Sequence, residues 1–270
     1  MRLVFLELLL PVCLSIGCAS APAAPIPVLY PEGSLHGFVV LKDASGTVLA
    51  YGDQVVKTQG QAMNCRMTFH FPDGSFFEEQ VTYTQQGVFR MQQYSLVSRG
   101  PAFEKDQQIS IDAATGQYRF TTRPRGQKEQ VFEGKIELPD DVYNGMVMIV
   151  AKNLTKQPRT RVHFVAFTPK PRIVAIELTA PDSQPVMLGD TPRPAMHFVV
   201  KPKLDIVEHT VAKLLDKLPP DSSIWLVADD VPAFVRADAT LVPDGPLWRI
   251  ELAVPRWPNA SGPAATGPKR

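Results

Sequence analysis

The sequence predicts a mainly β protein: a curved antiparallel sheet or half-barrel meander with one or two covering α-helices. Strand-like runs with apolar residues in period two recur along most of the 270 residues. Turn chemistry separates these runs at intervals of roughly 8–12 residues, the spacing of barrels and curved meanders. Only two segments switch to helical spacing.

The chain opens with an export signal. Arg2 is a minimal basic region, and Leu3 to Gly17 is apolar apart from Glu7 and a few small polar residues, with Pro11 in its middle. A spanning helix needs about 20 apolar residues, so this run suits a secretory leader better than a membrane span. Leu14-Ser15-Ile16-Gly17-Cys18 has the small and apolar residues that a lipoprotein signal places before its cysteine. Cleavage between Gly17 and Cys18, with acylation of Cys18, gives residues 1–17 as signal peptide. The rival site lies after Ala19-Ser20-Ala21, where Pro22 would follow the cut. A doubly or triply acylated cysteine stays on a bilayer, because each buried methylene contributes about 0.8 kcal/mol. Ala19 follows Cys18 and no Asp does, so the expected address is the outer membrane, facing the periplasm.

Residues 18–33 are rich in Ala and Pro and read as a tether. Residues 34–257 read as a single β-rich domain, and residues 258–270 as a disordered tail. With Cys13 removed and Cys18 acylated, Cys65 stands alone, so the domain depends on its core rather than on a disulfide. The composition, 44% apolar, supplies one.

Within the domain, Phe77, Val81 and Tyr83 share one face of a strand, with Glu79 the polar exception. Gln85-Gln86-Gly87 turns the chain into Val88–Val97. Ile109 and Ile111, then Tyr118 and Phe120, flank Ala114-Thr115-Gly116 as a hairpin. Phe132, Ile136 and Leu138 continue the pattern. Val162–Phe167, Ile173–Leu178, Met196–Val200, Ile224–Val227 and Trp248–Val254 complete it. In the last, Trp248, Ile250 and Leu252 lie on one face and Arg249 and Glu251 on the other. Asp140-Asp141 reads as the cap of a helix with Val142, Met146, Ile149, Val150 and Leu154 on one face, weakened by Asn144-Gly145. A second helix is expected from Asp205 to Leu218, ended by Pro219-Pro220.

Chemistry-bearing motifs are sparse. Lys and Arg total 28 and Asp and Glu 27, without a basic stripe interleaved with aromatics, so nucleic acid is not an expected partner. The sequence lacks G-x-S-x-G, H-E-x-x-H, a P-loop and C-x-x-C. The five histidines are scattered without a close pair, and the sequence leaves open a convergent pair such as His163 and His197. No catalytic residue, metal or cofactor is expected. Glu78 and Glu79 point to opposite faces of a strand and cannot act as a facing acid/base pair.

The strand spacing, the Pro-Asp-Asp-Val-Tyr-Asn-Gly segment, Lys217-Leu218-Pro219-Pro220-Asp221 and the closing Gly-Pro-Leu-Trp-Arg-Ile-Glu-Leu resemble a group of uncharacterised exported bacterial proteins. That group is similar in outline to the lipoprotein-carrier half-barrels, curved sheets with helices over an apolar concavity. The resemblance spans roughly residues 34 to 256. It implies an architecture and carries no functional residue across.

Three functions follow as expectations. The first is a tethered, non-enzymatic half-barrel holding a lipid or acyl chain. Met91, Met146, Met148, Phe164, Phe167 and Trp225 would supply its apolar lining. Phe234 and Trp248 would sit at the mouth, and Arg249 would meet an anionic head group. The second is an interaction lipoprotein that docks on envelope proteins by an exposed sheet edge or its Pro-rich ends. An envelope hydrolase is a distant third. An open apolar groove would favour the first and a filled interior the second.

Overall fold

The computed structural model describes residues 25–154, 159–167, 171–189, 191–203, 220–227, 230–243 and 245–253. The leader, Cys18, the expected helix at 205–218 and the C-terminal tail lie outside these residues.

Among the described residues, fourteen strands form one antiparallel sheet. The first eight are β1 (Leu35–Lys42), β2 (Val48–Gln59), β3 (Ala62–His70), β4 (Phe76–Gln86), β5 (Val88–Arg99), β6 (Lys105–Asp112), β7 (Gln117–Pro124) and β8 (Gln130–Lys135). After helix α1 (Val147–Lys152) come β9 (Arg159–Ala166), β10 (Arg172–Leu188), β11 (Thr191–Lys203), β12 (Ser222–Val227), β13 (Ala233–Thr240) and β14 (Leu247–Leu252). The order across the sheet is β8-β7-β6-β5-β4-β3-β2-β1-β14-β13-β12-β11-β10-β9. Two meanders therefore meet where β1 pairs with β14, Val39 opposite Leu252 and Leu41 opposite Ile250. The sheet does not close: β8 and β9 are its two edges.

Period two explains which side is inside. Phe77, Val81 and Tyr83 are all buried. The β6–β7 hairpin has the expected register, Ile111 opposite Tyr118 and Ile109 opposite Phe120. Trp248 and Ile250 are buried while Arg249 and Glu251 lie on the opposite face. One apolar cluster draws on both meanders, and a satellite forms around Val186, Ala195, Trp225, Val227 and Val235. Each large side chain so buried contributes about 1.5–3 kcal/mol.

The link from β8 to β9 crosses the inner face. Gly145 lies against Val81 and Tyr94 of the first meander, while α1 touches β12 and β13 of the second. Tyr143, Met146, Ile149, Val150 and Leu154 are buried within the main core. The chain's own link packs between the meanders.

The structure corrects two expectations. The helix near residue 140 is short, begins after Met146 and has no side-chain cap. Gly145 has a φ of +69°, which breaks helical continuity, and the Asp141 carboxylate is taken by His163 at 2.7 Å instead. The folded unit also starts before residue 34. Ile26 is buried, and its backbone pairs with Phe89. Asn153 Oδ1 accepts the Leu29 and Tyr30 amides, both at 2.8 Å. Residues 25–33, expected as tether, are thus bound to the fold.

Candidate functional site

The residues expected to hold an apolar ligand occupy separate places. Met91 faces Tyr83 across β4 and β5, and Met146 is buried at the start of α1. Phe167 stacks on Tyr94 with ring centroids 6.4 Å apart. Trp248 packs against Phe71 and Phe103 at 5.8 and 6.1 Å. Phe164 and Phe234 are partly buried against the main core. Trp225 belongs to the satellite cluster, and Arg249 lies on the outer face. The inner members are core, and the outer two lie across the sheet from them.

The outer face of β11–β14 and β1 carries a ladder of charges and rings. His197 stacks on Trp225 at 4.6 Å, and the Arg236 guanidinium lies 4.2 Å over the indole. Arg236 Nε and Arg249 Nε both donate to Asp238 Oδ1, at 3.0 and 3.2 Å. Lys42 Nζ donates to Glu251 Oε2 at 2.6 Å. Burial pushes the Asp238 carboxyl up, but the hydrogen bond and charge of Arg236, then of Arg249, outweigh it and hold it below the usual range. Sequence reasoning missed this ladder because it joins distant strands.

Within that face, His197 Nε2 lies 3.1 Å from Ser223 Oγ and its Nδ1 3.4 Å from Asp182 Oδ1. The order of contacts is that of a nucleophile relay. Acyl transfer also requires free N–H donors aimed at the developing oxyanion. Ser223 sits between β11 and β13, opposite Val199 and Asp238, where ladder pairing commits the backbone donors. The cluster supplies rigidity across three strands rather than an oxyanion hole. His163 is engaged elsewhere, by Asp141.

Burial favours the neutral forms of Glu79 and Cys65. Burial raises the Glu79 carboxyl, opposed by the hydrogen bond that Tyr94 Oη donates to it at 3.0 Å. Burial pushes the Cys65 thiol up to about 11, although Gln54 donates to its sulfur, so this cysteine is an inert core residue. Among the described residues, no three His, Cys, Asp or Glu side chains gather as a metal site.

The two sheet edges differ. On β9, Tyr143 N donates to His163 O at 2.9 Å and His163 N donates to Asp141 O at 3.0 Å. Two residues along, Val165 N donates to Asn144 Oδ1 at 2.7 Å and Asn144 Nδ2 donates to Val165 O at 3.0 Å. The link thereby occupies the β9 edge at His163 and Val165. Edge strand β8 pairs with β7 on one side. Among the described residues nothing pairs with its other side, and all its residues but Phe132 are exposed.

Next to β8, the outer face of β4–β8 forms an open groove of about 880 Å³. One cross-strand row crosses it: Gln80 opposite Ser95, Ser95 opposite Ser110, Ser110 opposite Arg119, and Arg119 opposite Glu133. The two serines are short and their flanking side chains long, which makes the floor and walls. Gln93 donates to Asp112 at 3.3 Å, and Arg119 pairs with Glu133.

No family profile matches the chain, and no curated protein matches it significantly. A solved β-barrel-like protein of domain of unknown function DUF1849 from Brucella abortus is similar at 12% identity. The similarity covers 86% of this chain and 98% of that one, with a TM-score of 0.39.

Proposed function

We propose that this protein is a non-enzymatic envelope lipoprotein, tethered through Cys18, that docks an envelope protein by strand addition to β8. The observation that carries this reading is the difference between the two sheet edges. An exposed row of N–H and C=O groups is a template for another strand, and among the described residues the link covers that row on β9 at His163 and Val165 while nothing covers it on β8. The leader ending at Cys18 supports an outer-membrane address facing the periplasm. Acyl-chain binding on the inner face would require the link carrying Tyr143, Met146 and Val150 to leave it.

A photo-crosslinking residue at Val131, 44% exposed on β8, tests the docking surface against a control at Met187, 60% exposed on β10. The expected result in intact cells is one dominant protein adduct from position 131 and none from position 187, on a mature chain whose mass includes acylated Cys18. Equal labelling from both positions contradicts docking at β8. Stoichiometric, displaceable binding of a fluorescent fatty acid by the delipidated domain would favour the interior instead.

A further inference from the structure

We infer that the groove on the outer face of β4–β8 is a binding site for a neutral, hydroxyl-rich oligosaccharide. The groove is separate from the β8 docking surface, since side chains of the sheet face line it rather than the backbone of the edge. The volume, about 880 Å³, falls within the range of ligand sites. From β4 to β8 the row runs roughly 19 Å at ordinary strand spacing, and the β8 end is open. A linear chain suits this shape better than a single compact ring.

The lining chooses the class. Gln80, Ser95, Ser110 and Gln117 present amides and hydroxyls that donate and accept at once, as sugar hydroxyls do. The two basic side chains, Arg119 and Lys135, are balanced by two acidic ones, Asp112 and Glu133. Arg119 is already paired with Glu133, so no net field attracts an anion or a cation. Tyr94, Ile111 and Tyr118 also contribute to the lining, so polar and apolar surface are both present, as the rims and faces of sugar rings require. Hydrogen bonds exchanged with water contribute little each, so the affinity belongs in the millimolar range.

NMR titration of the folded domain tests this with chitotetraose and maltotetraose as neutral probes, and with a trigalacturonate as charged control. At least one neutral probe is expected to shift amides on β4–β7 around the serine row, saturably and below about 20 mM. Ser95→Gln fills the floor and is expected to weaken that binding about tenfold, as is Ser110→Gln, without changing the melting temperature. The site is overturned if neither neutral probe shifts these amides, if the charged control binds equally well, or if both fillings leave binding unchanged. Crosslinking at Val131 is read separately, so failure here leaves docking at β8 intact.

Discussion

Glu79 is a carboxyl on the inner face, between Met67 and Leu96 on the adjoining strands. Burial makes its charged form costly, and the Tyr94 hydroxyl offsets only part of that cost. The sign of the pH dependence follows. Below the ordinary carboxylate value of about 4.3, folded and unfolded chains both hold the proton and the burial cost is absent. As pH rises, the unfolded chain releases the proton first, so stability falls until the folded group ionises as well. Glu79→Gln removes that loss. Thermal unfolding of the two proteins is expected to coincide near pH 4 and diverge by pH 7, with the Glu79→Gln variant the more stable. Parallel curves across that range would contradict the assignment.

Among elements, the link between β8 and β9 has the most to do. It packs in the core between the meanders, and it pairs the backbone of β9 at His163 and Val165. Asn144 alone pairs both the N–H and the C=O of buried Val165. Asn144→Ala leaves both groups without partners, and urea unfolding is expected to register a loss of roughly 2–4 kcal/mol. Asn144→Asp keeps the acceptor and loses the donor, so its stability should fall between those of Asn144→Ala and the parent protein.

The same link shows where sequence reading reached its limit. Period two exposed the strands because each has one face in the core, down to Glu79 as the polar exception and the Trp248/Arg249 alternation. Asp140-Asp141 has the form of a helix cap because capping chemistry is local. A contact with His163, twenty-two residues away, takes the Asp141 carboxylate, and Gly145 sets the helix start. The groove and the Asp182–His197–Ser223 contacts depend on cross-strand register, which no single strand encodes. Met146 and Trp248 are recognisable as large apolar residues, but whether they line a void or fill it depends on where the link lies.

Across the whole molecule, pairing of β1 with β14 joins two meanders into one sheet, and the link between their far strands runs back through the middle. That arrangement places both edges at the ends of the sheet, and among the described residues the link covers part of the β9 edge. The outer surface then has the β8 edge, unpaired on one side among the described residues, beside the groove, while the inner surface packs against the link. On the function proposed above, a tethered protein built this way would present its binding surfaces on its outside.

Hydrogen exchange at β8, on the purified domain and on the lipidated protein in its native membranes, tests that claim most directly. In the purified domain, outward-facing amides of residues 130–135 are expected to exchange within seconds while His163 and Val165 stay protected. In native membranes the β8 amides are expected to become protected too. Exchange at β8 that is unchanged by the membrane environment, or as slow as β9 in the isolated domain, would contradict the account.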